Sequence, residues 1–335
     1  MLPTMKDVAR QAGVSTATVS RVLNGTRGVS EHTKLRVQQA IADLGYRYNA
    51  LARSLKKKQS RLIGHIVPSI AGPVSPVLAR AVEDQAQKSG FNVILCNSYE
   101  SIQKERTNIT TLLERRVDGI ILSAPILPDH LAMIHERSVP MAIIERRAEL
   151  SDFPFVEPNN YSGAYEAVKY LLALGHGRIA MIVGPTNTLI SEQRMRGYGD
   201  ALGDAGIPID PDLMAAGDYG KDSGYEAMQV FLRLHRRPTA VFAANDTMAI
   251  GAMQAASHAG LNIPKDISFV GFDDTYADLT IPQLTTVHQP LYEIGVLAAK
   301  VVISRIRGAP DDYPTENILP CYLKERESCG PAPEL

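Results

Sequence analysis

The residues with the most distinctive chemistry form one short segment near the amino terminus, Ser15-Thr16-Ala17-Thr18-Val19-Ser20-Arg21. Apart from the arginine its side chains are small, so a helix built from them can approach the floor of a DNA major groove without a steric clash. There a threonine offers a hydroxyl or a methyl group to a base edge, an alanine contacts a thymine methyl group, and an arginine bonds both acceptors of guanine. The segment predicts contact with double-stranded DNA through Thr16, Ala17, Thr18 and Arg21. A three-helix domain with an ordinary polar face is the alternative.

The charge distribution points the same way. Residues 1–60 carry eleven Lys and Arg against three acids, a net charge of +8, whereas residues 61–335 carry 24 against 33, a net charge of −9. Binding to phosphate backbones favours a basic head of this kind, on a body that does not itself adhere to DNA. A solvated charge bias is an equally good explanation of the charge alone.

Catalytic signatures are missing from the sequence. The nearest approach to a dinucleotide-binding Gly-x-Gly-x-x-Gly is Gly197-Tyr198-Gly199, which has Leu202 where the third glycine belongs. No phosphate-binding loop, nucleophile elbow or His-Glu-x-x-His motif occurs. His130 and His135 are five residues apart and do not share a helix face. We therefore predict a protein that is not an enzyme, with no catalytic residue, no metal site and no cofactor.

Composition indicates a protein that works inside the cell. No apolar run approaches the roughly 18 residues that a membrane span requires, and Met1–Lys6 does not open a signal peptide. The three cysteines, Cys96, Cys321 and Cys329, have no metal-binding spacing and do not form an even set for a disulfide framework. We expect no membrane contact and a cytoplasmic, nucleoid-associated location.

Three helices are predicted in the first 45 residues. Thr4 with Asp7 resembles a capping box, Gly13 ends the first helix, and Ser15 caps the second, which runs to Asn24-Gly25. The third follows Ser30 and stops at Gly45. Two short helices around a glycine turn with a third across them form a helix-turn-helix headpiece, to which we assign residues 1–48. Residues 49–61 follow as a short helix, Asn49–Leu55, and a basic linker; so short a helix is expected to order only with a partner.

From Leu62 onward, strands and helices alternate. Seven apolar runs read as buried parallel strands, namely Leu62–Val67, Val93–Cys96, Gly119–Leu122, Met141–Ile144, Ile179–Val183, Thr239–Ala243 and Ser268–Gly271. The fold class predicted is therefore a small all-α headpiece plus an α/β domain of two doubly wound parallel sheets, because about 270 residues exceed one such sheet. We expect a first lobe of about 62–158 plus 283–320 and a second of about 159–282 plus 321–330.

Residues 5–25 closely resemble the headpiece of the lactose/galactose repressor (LacI/GalR) family. The resemblance continues, in family order, over nearly the whole chain, through Leu44-Gly45-Tyr46, Asn49–Leu55, Arg115–Leu122, Leu174-Gly175-His176, Ala244-Asn245-Asp246, Val270–Asp274 and Leu284–Val287.

For the DNA end of the molecule, the resemblance implies a homodimer on a pseudo-palindromic operator, one headpiece to each half-site. Thr16, Ala17 and Arg21 match base-reading positions, and Asn49–Leu55, with Ala52, matches a hinge helix that orders on DNA. Leu55 matches a leucine wedged into the minor groove, where a linker leucine is the plain alternative. Tyr48 departs from the family, which commonly has proline there. No heptad helix follows Glu327, so a dimer is expected rather than a tetramer.

For residues 62–335, the resemblance implies an effector-binding and dimerisation domain similar to periplasmic sugar-binding proteins. A small polar effector, a sugar or sugar derivative, would lie between the lobes at the carboxyl ends of the strands. The family positions that contact it fall on Glu145, Arg146, Arg194, Tyr219, Asn245 and Asp273. For each of them an interlobe salt bridge or surface pair is the alternative. Val74 and Ser75 stand where the family often has two aromatic residues, which places sugar stacking from the first lobe in doubt.

Two alternatives to an effector-controlled repressor remain open. One is a binding protein or enzyme on the same two-lobed scaffold, which would leave the basic headpiece unexplained. The other is a regulator controlled by a protein co-repressor, or one without a small effector. The sequence leaves the effector, the operator and the sign of the response undetermined.

Overall fold

A computed structural model describes residues 3–23, 28–46, 59–145, 153–186, 188–309 and 312–334. The chain divides into two compact units, Met1–Ser60 and Arg61–Leu335. Four of the predicted site residues lie outside the described residues, namely Asn49, Ala52, Leu55 and Arg146.

The described residues of the first unit form three helices, α1 (Met5–Ala12), α2 (Thr16–Leu23) and α3 (Glu31–Leu44). Helices α1 and α3 begin and end where the capping residues predicted, and α2 begins directly after its predicted cap, Ser15. The predicted end of α2 at Asn24-Gly25 lies outside the described residues. At α1 the N–H of Thr4 donates to Asp7 Oδ2 at 2.9 Å and the N–H of Asp7 donates back to Thr4 Oγ1, while Ser30 caps α3 and Gly45 ends it. Small apolar residues fill the core between the helices, namely Val8, Ala9, Ala12, Val19, Val37 and Ala40.

The turn between α1 and α2 depends on Gly13. Its φ of 61° is left-handed, and its N–H closes α1 by donating to the carbonyl groups of Ala9 and Arg10. The guanidinium group of Arg36, from α3, donates to the carbonyl groups of Ala12 and Gly13. A Cβ at Gly13 would lie 2.6 Å from Arg36 Nη2. Glycine is therefore required by the backbone conformation, while a Cβ there would also displace the end of the Arg36 side chain.

The second unit alternates strands and helices. Its strands are β1 (Leu62–Val67), β2 (Asn92–Asn97), β3 (Gly119–Ser123), β4 (Met141–Ile144), β5 (Phe155–Pro158), β6 (Ile179–Val183), β7 (Met214–Ala216), β8 (Ala240–Ala243), β9 (Ser268–Asp273), β10 (Thr285–His288), β11 (Glu316–Leu319) and β12 (Tyr322–Lys324). Its helices are α4 (Val74–Lys88), α5 (Ile102–Glu114), α6 (Pro128–His135), α7 (Asn160–Ala173), α8 (Leu189–Asp204), α9 (Lys221–Leu232), α10 (Asp246–His258) and α11 (Leu291–Ile306). The elements of the described residues also include two short 3₁₀ helices, Pro211–Leu213 and Ala277–Leu279.

These strands form two six-stranded sheets, one in each lobe. The order is β11-β5-β4-β3-β1-β2 in the first lobe and β12-β10-β9-β8-β6-β7 in the second. Every paired strand is parallel to its neighbour except β12, which runs antiparallel to β10. Apolar side chains from the helices cover both faces of each sheet. The predicted fold class is confirmed.

The chain passes between the lobes after β5, after β10 and between β11 and β12. The second passage differs from expectation. Thr285–His288 pairs in parallel with β9 and belongs to the second sheet, so the chain returns to the first lobe after His288, not near residue 282. Residues 283–288, expected in the first lobe, therefore lie in the second.

All seven predicted strands are present, with bounds that shift by two residues at most. Five further strands, β5, β7, β10, β11 and β12, have no counterpart in the prediction. They are three or four residues long, and four of them contain polar residues or proline, so no apolar run marks them. Their pairing is set by the sheet beside them.

Helices α9 and α10 pack unusually closely in the second lobe. A Cβ at Gly224 would overlap the backbone of Met248, and one at Gly251 would overlap the backbone of Lys221. The two glycines let the helix backbones touch. In the part of the chain that the structure describes, no helix is both long and apolar enough to cross a membrane.

Candidate functional site

The predicted DNA-contacting residues lie on α2. Thr16, Ala17 and Arg21 are exposed, while Val19 is fully buried against the other helices. Residues 17 and 21 are one helical turn apart, so they share a face. Thr18 is different, because its N–H donates to Ser15 Oγ at 3.1 Å and its hydroxyl lies 2.9 Å from the same oxygen. Its side chain therefore takes part in the cap of α2.

A cavity of about 380 Å³ opens between the lobes of the second unit. Its lining comes from segments that follow the carboxyl ends of strands in both sheets, which is where open α/β sheets bind ligands. The first lobe contributes Pro68, Ser69, Gly72, Pro73, Val74, Ser75, Ser98, Glu100, Ala124, Ile126 and Glu145. The second lobe and the passages between the lobes contribute Pro158, Asn160, Pro185, Thr188, Ile190, Arg194, Asp218, Tyr219, Asn245, Asp273 and Gln289. The five described cleft candidates thus line one cavity.

Arg194 is fixed in place by four contacts. It is 4% exposed, and its Nε donates to Asn160 Oδ1 at 3.0 Å. Its Nη1 donates to the carbonyl group of Ala244 and lies 3.7 Å from Asp273 Oδ1. Its guanidinium carbon lies 3.7 Å from the centroid of the Phe272 ring. A planar cation held in this way presents a fixed hydrogen-bonding geometry.

Glu145 and Asp273 bring two carboxyl groups to the cavity from opposite lobes. Burial raises the pKa of each to about 7, and Arg194 opposes the rise in both. Glu145 itself raises the pKa of Asp273. The two carboxyl groups therefore act on each other across the cleft, with one guanidinium group acting on both.

A third acid lies behind this pair. Asp246 is fully buried and accepts hydrogen bonds from the Thr286 hydroxyl at 2.5 Å and the Thr275 N–H at 2.9 Å. Burial and the neighbouring Asp273 raise its pKa to about 7. Sequence reasoning had missed Asp246, because nothing in Ala244-Asn245-Asp246 distinguishes a residue of the cavity wall from one beneath it.

Tyr219 lies on the second-lobe wall. Its hydroxyl is 2.8 Å from Ser191 Oγ, and its ring packs on Gly184, where a Cβ would clash with it. Asn245, predicted as a ligand contact, also has a structural role. Its Oδ1 accepts the N–H of Met248 at the start of α10, and its Nδ2 donates to the carbonyl group of Tyr219 at 3.0 Å.

Several residues that line the interlobe cavity have strained backbone conformations. Glu145, Tyr219 and Asp273 have φ angles of 68°, 68° and 116°, in the region that favours glycine. Such conformations cost about 1–3 kcal/mol each and persist at sites where position matters more than stability. Three of the five described cleft candidates are therefore held at an energetic cost.

Asn160 and Gln289 are site residues that sequence reasoning left unassigned. Asn160 is 1% exposed and donates to Gln193 Oε1 at 3.2 Å while it accepts from Arg194. Gln289 donates to Asp273 Oδ1, and its own Oε1 has no hydrogen-bond partner among the described residues. Both follow strands, β5 and β10, that the sequence did not reveal, so the signal that would have found them was missing.

On the first-lobe wall, the aliphatic Val74 begins α4 and lines the cavity together with Ser75. Tyr219 is the only aromatic residue of the described lining. His130 does not pair with His135; its Nδ1 lies 2.6 Å from Glu105 Oε1. Within the described ranges, no group of three or more His, Cys, Asp and Glu could hold a metal ion.

A helix-turn-helix unit on one chain with a two-lobed α/β unit and an interlobe cavity that carries charged side chains defines the ligand-responsive type of DNA-binding regulator. Comparison with known proteins finds a matching family for a part of each unit. Residues 4–49 match the family described as bacterial regulatory proteins, lacI family, and residues 168–329 match a periplasmic binding protein-like domain. The chain belongs to the lacI family of bacterial regulatory proteins, as the resemblance predicted.

Its similarity to curated relatives extends over the full length. An HTH-type transcriptional repressor PurR of Proteus mirabilis is 38% identical over 336 residues, which cover 99% of this chain and 98% of the relative. The repressor of the same name from Photorhabdus laumondii is 38% identical and covers 97% and 96%.

Solved structures show the same architecture. A lac repressor dimer bound to operator and the anti-inducer ONPF is 31% identical, with a TM-score of 0.88 over 98% of this chain and 99% of that one. The transcriptional regulator CelR in complex with cellobiose is 32% identical, with a TM-score of 0.75 over 97% and 99%. A family member from Enterococcus faecium with bound ribose is 30% identical, with a TM-score of 0.73 over 81% and 99%.

Proposed function

We propose that this regulator is a repressor that binds a pseudo-palindromic operator as a homodimer and changes its operator affinity when a small polar effector occupies the interlobe cavity. The observation that carries the proposal is the constellation of Glu145, Arg194 and Asp273 at the carboxyl ends of the strands, in a chain that also carries a helix-turn-helix. Operator and effector then alter each other's affinity by the same factor.

On DNA, α2 is the recognition helix. Its exposed face carries Thr16, Ala17 and Arg21. Thr16 and Ala17 are small enough to approach base edges, and Arg21 is long enough to bond guanine. Thr18 contributes through the cap that it shares with Ser15. We assign Asn49, Ala52 and Leu55 to a hinge segment that contacts the minor groove, on the strength of the family resemblance.

In the cavity, the effector is a hydroxyl-rich molecule without negative charge. Four carboxyl groups, those of Glu100, Glu145, Asp218 and Asp273, line the described part of the cavity against the single cation Arg194. That cation is already shared between Asn160, Ala244 and Asp273. Hydroxyl groups of a sugar or sugar derivative can donate to the carboxyl groups and to Gln289 Oε1, whereas a phosphate or carboxylate would meet like charge. Arg146, next to Glu145, belongs to the same proposed site by resemblance.

Exposed apolar side chains provide surfaces for a dimer. Ile281 is 98% exposed and Leu279 is 75% exposed, beside Tyr276, on one segment of the second lobe. In the first lobe, Leu95 on the edge strand β2 and Tyr99 after it are also exposed. Exposed apolar side chains grouped on one segment often mark protein interfaces, and a two-fold dimer matches a two-fold operator. Because its target is the chromosome, we place the protein in the cytoplasm, on the nucleoid.

A thermal-shift screen of the full chain against neutral sugars, sugar acids, sugar phosphates, nucleosides and purines tests the proposal, followed by operator selection with and without each hit. We expect a neutral polyhydroxy compound to raise the Tm and to change operator affinity, and Arg194→Ala to lose both effects. A screen in which only phosphorylated or carboxylated compounds bind would contradict the proposed cavity chemistry. Operator binding that no compound alters would instead indicate a protein co-repressor or an unresponsive repressor.

A further inference from the structure

Three separate loops make up much of the first-lobe wall of the cavity, beside Glu145 after β4. They follow β1, β2 and β3, and each of them contributes lining residues: Ser69 and Gly72, then Ser98 and Glu100, then Ala124 and Ile126. Loops at strand ends have few contacts of their own, so their positions depend on what lies behind them. Left-handed φ angles at Tyr99, Glu100 and Ala124 show that two of the three are held in costly conformations.

Helix α5 holds the third loop through a buried carboxylate. Glu105 is 1% exposed and accepts the N–H of Ile126 with both oxygens, at 3.0 and 3.3 Å. The same group lies 2.6 Å from His130 Nδ1 on α6. Helix α6 has no side-chain cap at Leu127, so the carboxylate also supplies negative charge beside its amino terminus. These contacts of Glu105 with Ile126 and His130 do not depend on a ligand in the cavity.

The other two loops are linked to α5 through Asn97 and Asn108. Asn108, one turn after Glu105 on the inner face of the helix, donates to the carbonyl group of Asn97 at 2.9 Å. Asn97 Oδ1 in turn accepts the N–H of Ile70 at 3.1 Å. The N–H of Tyr99 donates to the carbonyl group of Pro68 at 2.8 Å, which ties the first loop to the second.

We infer that Glu105 and Asn108 are positioning residues that set the geometry of the first-lobe wall and hence which effector the cavity accepts. The second part of this inference rests on the proposed function. Glu105 is not among the described lining residues, and its hydrogen bonds go to the backbone of Ile126 and to His130, so it acts through the loop and not on the ligand. Helix α5, which contributes no residue to the described lining, thus becomes a determinant of specificity.

Hydrogen–deuterium exchange of the full chain without ligand tests the positioning role. In Glu105→Ala we expect amide exchange in residues 124–130 to rise about tenfold, because the Ile126 N–H loses its acceptor, with no change in the second lobe. Glu105→Gln, which keeps one acceptor oxygen, should fall between this variant and the wild type. Glu114→Ala, an exposed acid on the same helix, is the matched control and should leave exchange unchanged. Unaltered exchange at 124–130 in Glu105→Ala would overturn the inference.

A general loss of lobe stability is distinguished by Leu112→Ala, which removes a fully buried side chain from the same helix without touching the loops. This variant should raise exchange throughout the first lobe. If Glu105→Ala gives that same distributed pattern, Glu105 is merely structural and the inference fails. With a compound found in the screen, Glu105→Ala should change the ratio of affinities for that compound and its closest analogue, and Leu112→Ala should not. Failure of every compound to bind would count against the proposed function and leave the exchange result standing.

Discussion

Arg194 Nη1 lies 3.7 Å from Asp273 Oδ1, and the arginine rests on the ring of Phe272, the residue before that aspartate. Strand β9 therefore supplies both a counter-charge and an apolar platform for one side chain of α8. A guanidinium group satisfied in this way keeps its place whether or not a ligand is present.

Replacement of this arginine by lysine should weaken effector binding although the charge is kept. A lysine cannot bond Asn160 and Ala244 together, so we expect effector affinity to fall about tenfold to a hundredfold and stability to fall by about 1–3 kcal/mol. Calorimetric titration and denaturant unfolding measure the two effects. Lys169→Arg, on an exposed face of α7, is the matched control and should change neither effector affinity nor stability. An Arg194→Lys protein with wild-type affinity would show that the guanidinium geometry is irrelevant.

Effector affinity should depend on pH through Glu145. Its pKa of about 7 means that the carboxyl group holds a proton at pH 6 and is ionised at pH 8. Ligand hydroxyl groups donate to the ionised form, so affinity should rise about tenfold from pH 6 to pH 8 for one such group. Calorimetric titration with the effector at both pH values measures the affinity. The same titration in buffers of different ionisation enthalpy measures the proton release. Glu145→Gln should flatten the profile; a profile that stays steep in that variant would assign the effect to another group.

Asp246 should make the protein less stable as the pH rises. Folding raises its pKa from 3.8 to about 7, so the folded state keeps a proton that the unfolded state releases between these values. The stabilisation present below pH 4 is therefore lost as the pH approaches 7 and beyond. Asp246→Asn imitates the protonated acid and should reduce this slope in urea unfolding at pH 5, 6, 7 and 8.

Asp246→Ala is the companion variant. It removes the acceptor of Thr286 and Thr275 and should lose about 1–3 kcal/mol at pH 5, with a smaller loss at pH 8, where the wild type no longer has the stabilisation of the protonated acid. If Asp246→Asn and the wild type have parallel pH profiles, the buried acid is not the source of the slope.

Specific DNA binding should depend on Arg21. Arg21→Ala should cost about 1–3 kcal/mol on the selected operator and relax the preference at one base pair. Arg10→Ala, which removes the same charge from the exposed side of α1, should weaken operator and scrambled DNA alike. Fluorescence anisotropy on both DNAs compares them. Equal losses on both sequences in Arg21→Ala would reduce Arg21 to a phosphate contact.

The dimer should depend on the apolar segment around Ile281. Ile281→Arg places a charge on a side chain that is 98% exposed, so it should leave the fold intact while it shifts the molecule towards a monomer in sedimentation equilibrium. Val230→Arg, on the exposed side of α9, is the control and should stay dimeric. A dimer that survives Ile281→Arg would move the interface elsewhere.

The sequence predicted those strands that their own apolar residues mark. It missed strands whose position is set by pairing with a neighbouring strand. The strand Ile179–Val183 is fully buried, and its apolar run gave its bounds without error. The strand Thr285–His288 is equally well placed in the sheet but carries two threonines and a histidine, so its position follows from pairing with β9 and not from its own pattern.

The same contrast holds in the cavity. Arg194 and Asp273 were predicted as cleft residues from the family resemblance, and an arginine and an aspartate suit the hydrogen-bonding chemistry of the cleft. Asn160 and Gln289 could not be foreseen, because each gains its role from a partner distant in sequence: Asn160 from Arg194 and Gln289 from Asp273. Asn245 shows the converse, a residue predicted for the ligand whose amide is occupied by a helix cap and a backbone carbonyl.

The order in which the strands leave the ribosome gives the three lobe crossings a further consequence. The headpiece helices are complete by Leu44, whereas the first lobe needs β11 and the second needs β12, which end at Leu319 and Lys324. Domains fold as units during synthesis, so the helix-turn-helix is ready early and both sensory lobes are finished almost together, some 280 residues later. A chain that stops before Leu319 therefore contains the three headpiece helices but lacks an edge strand of each sheet.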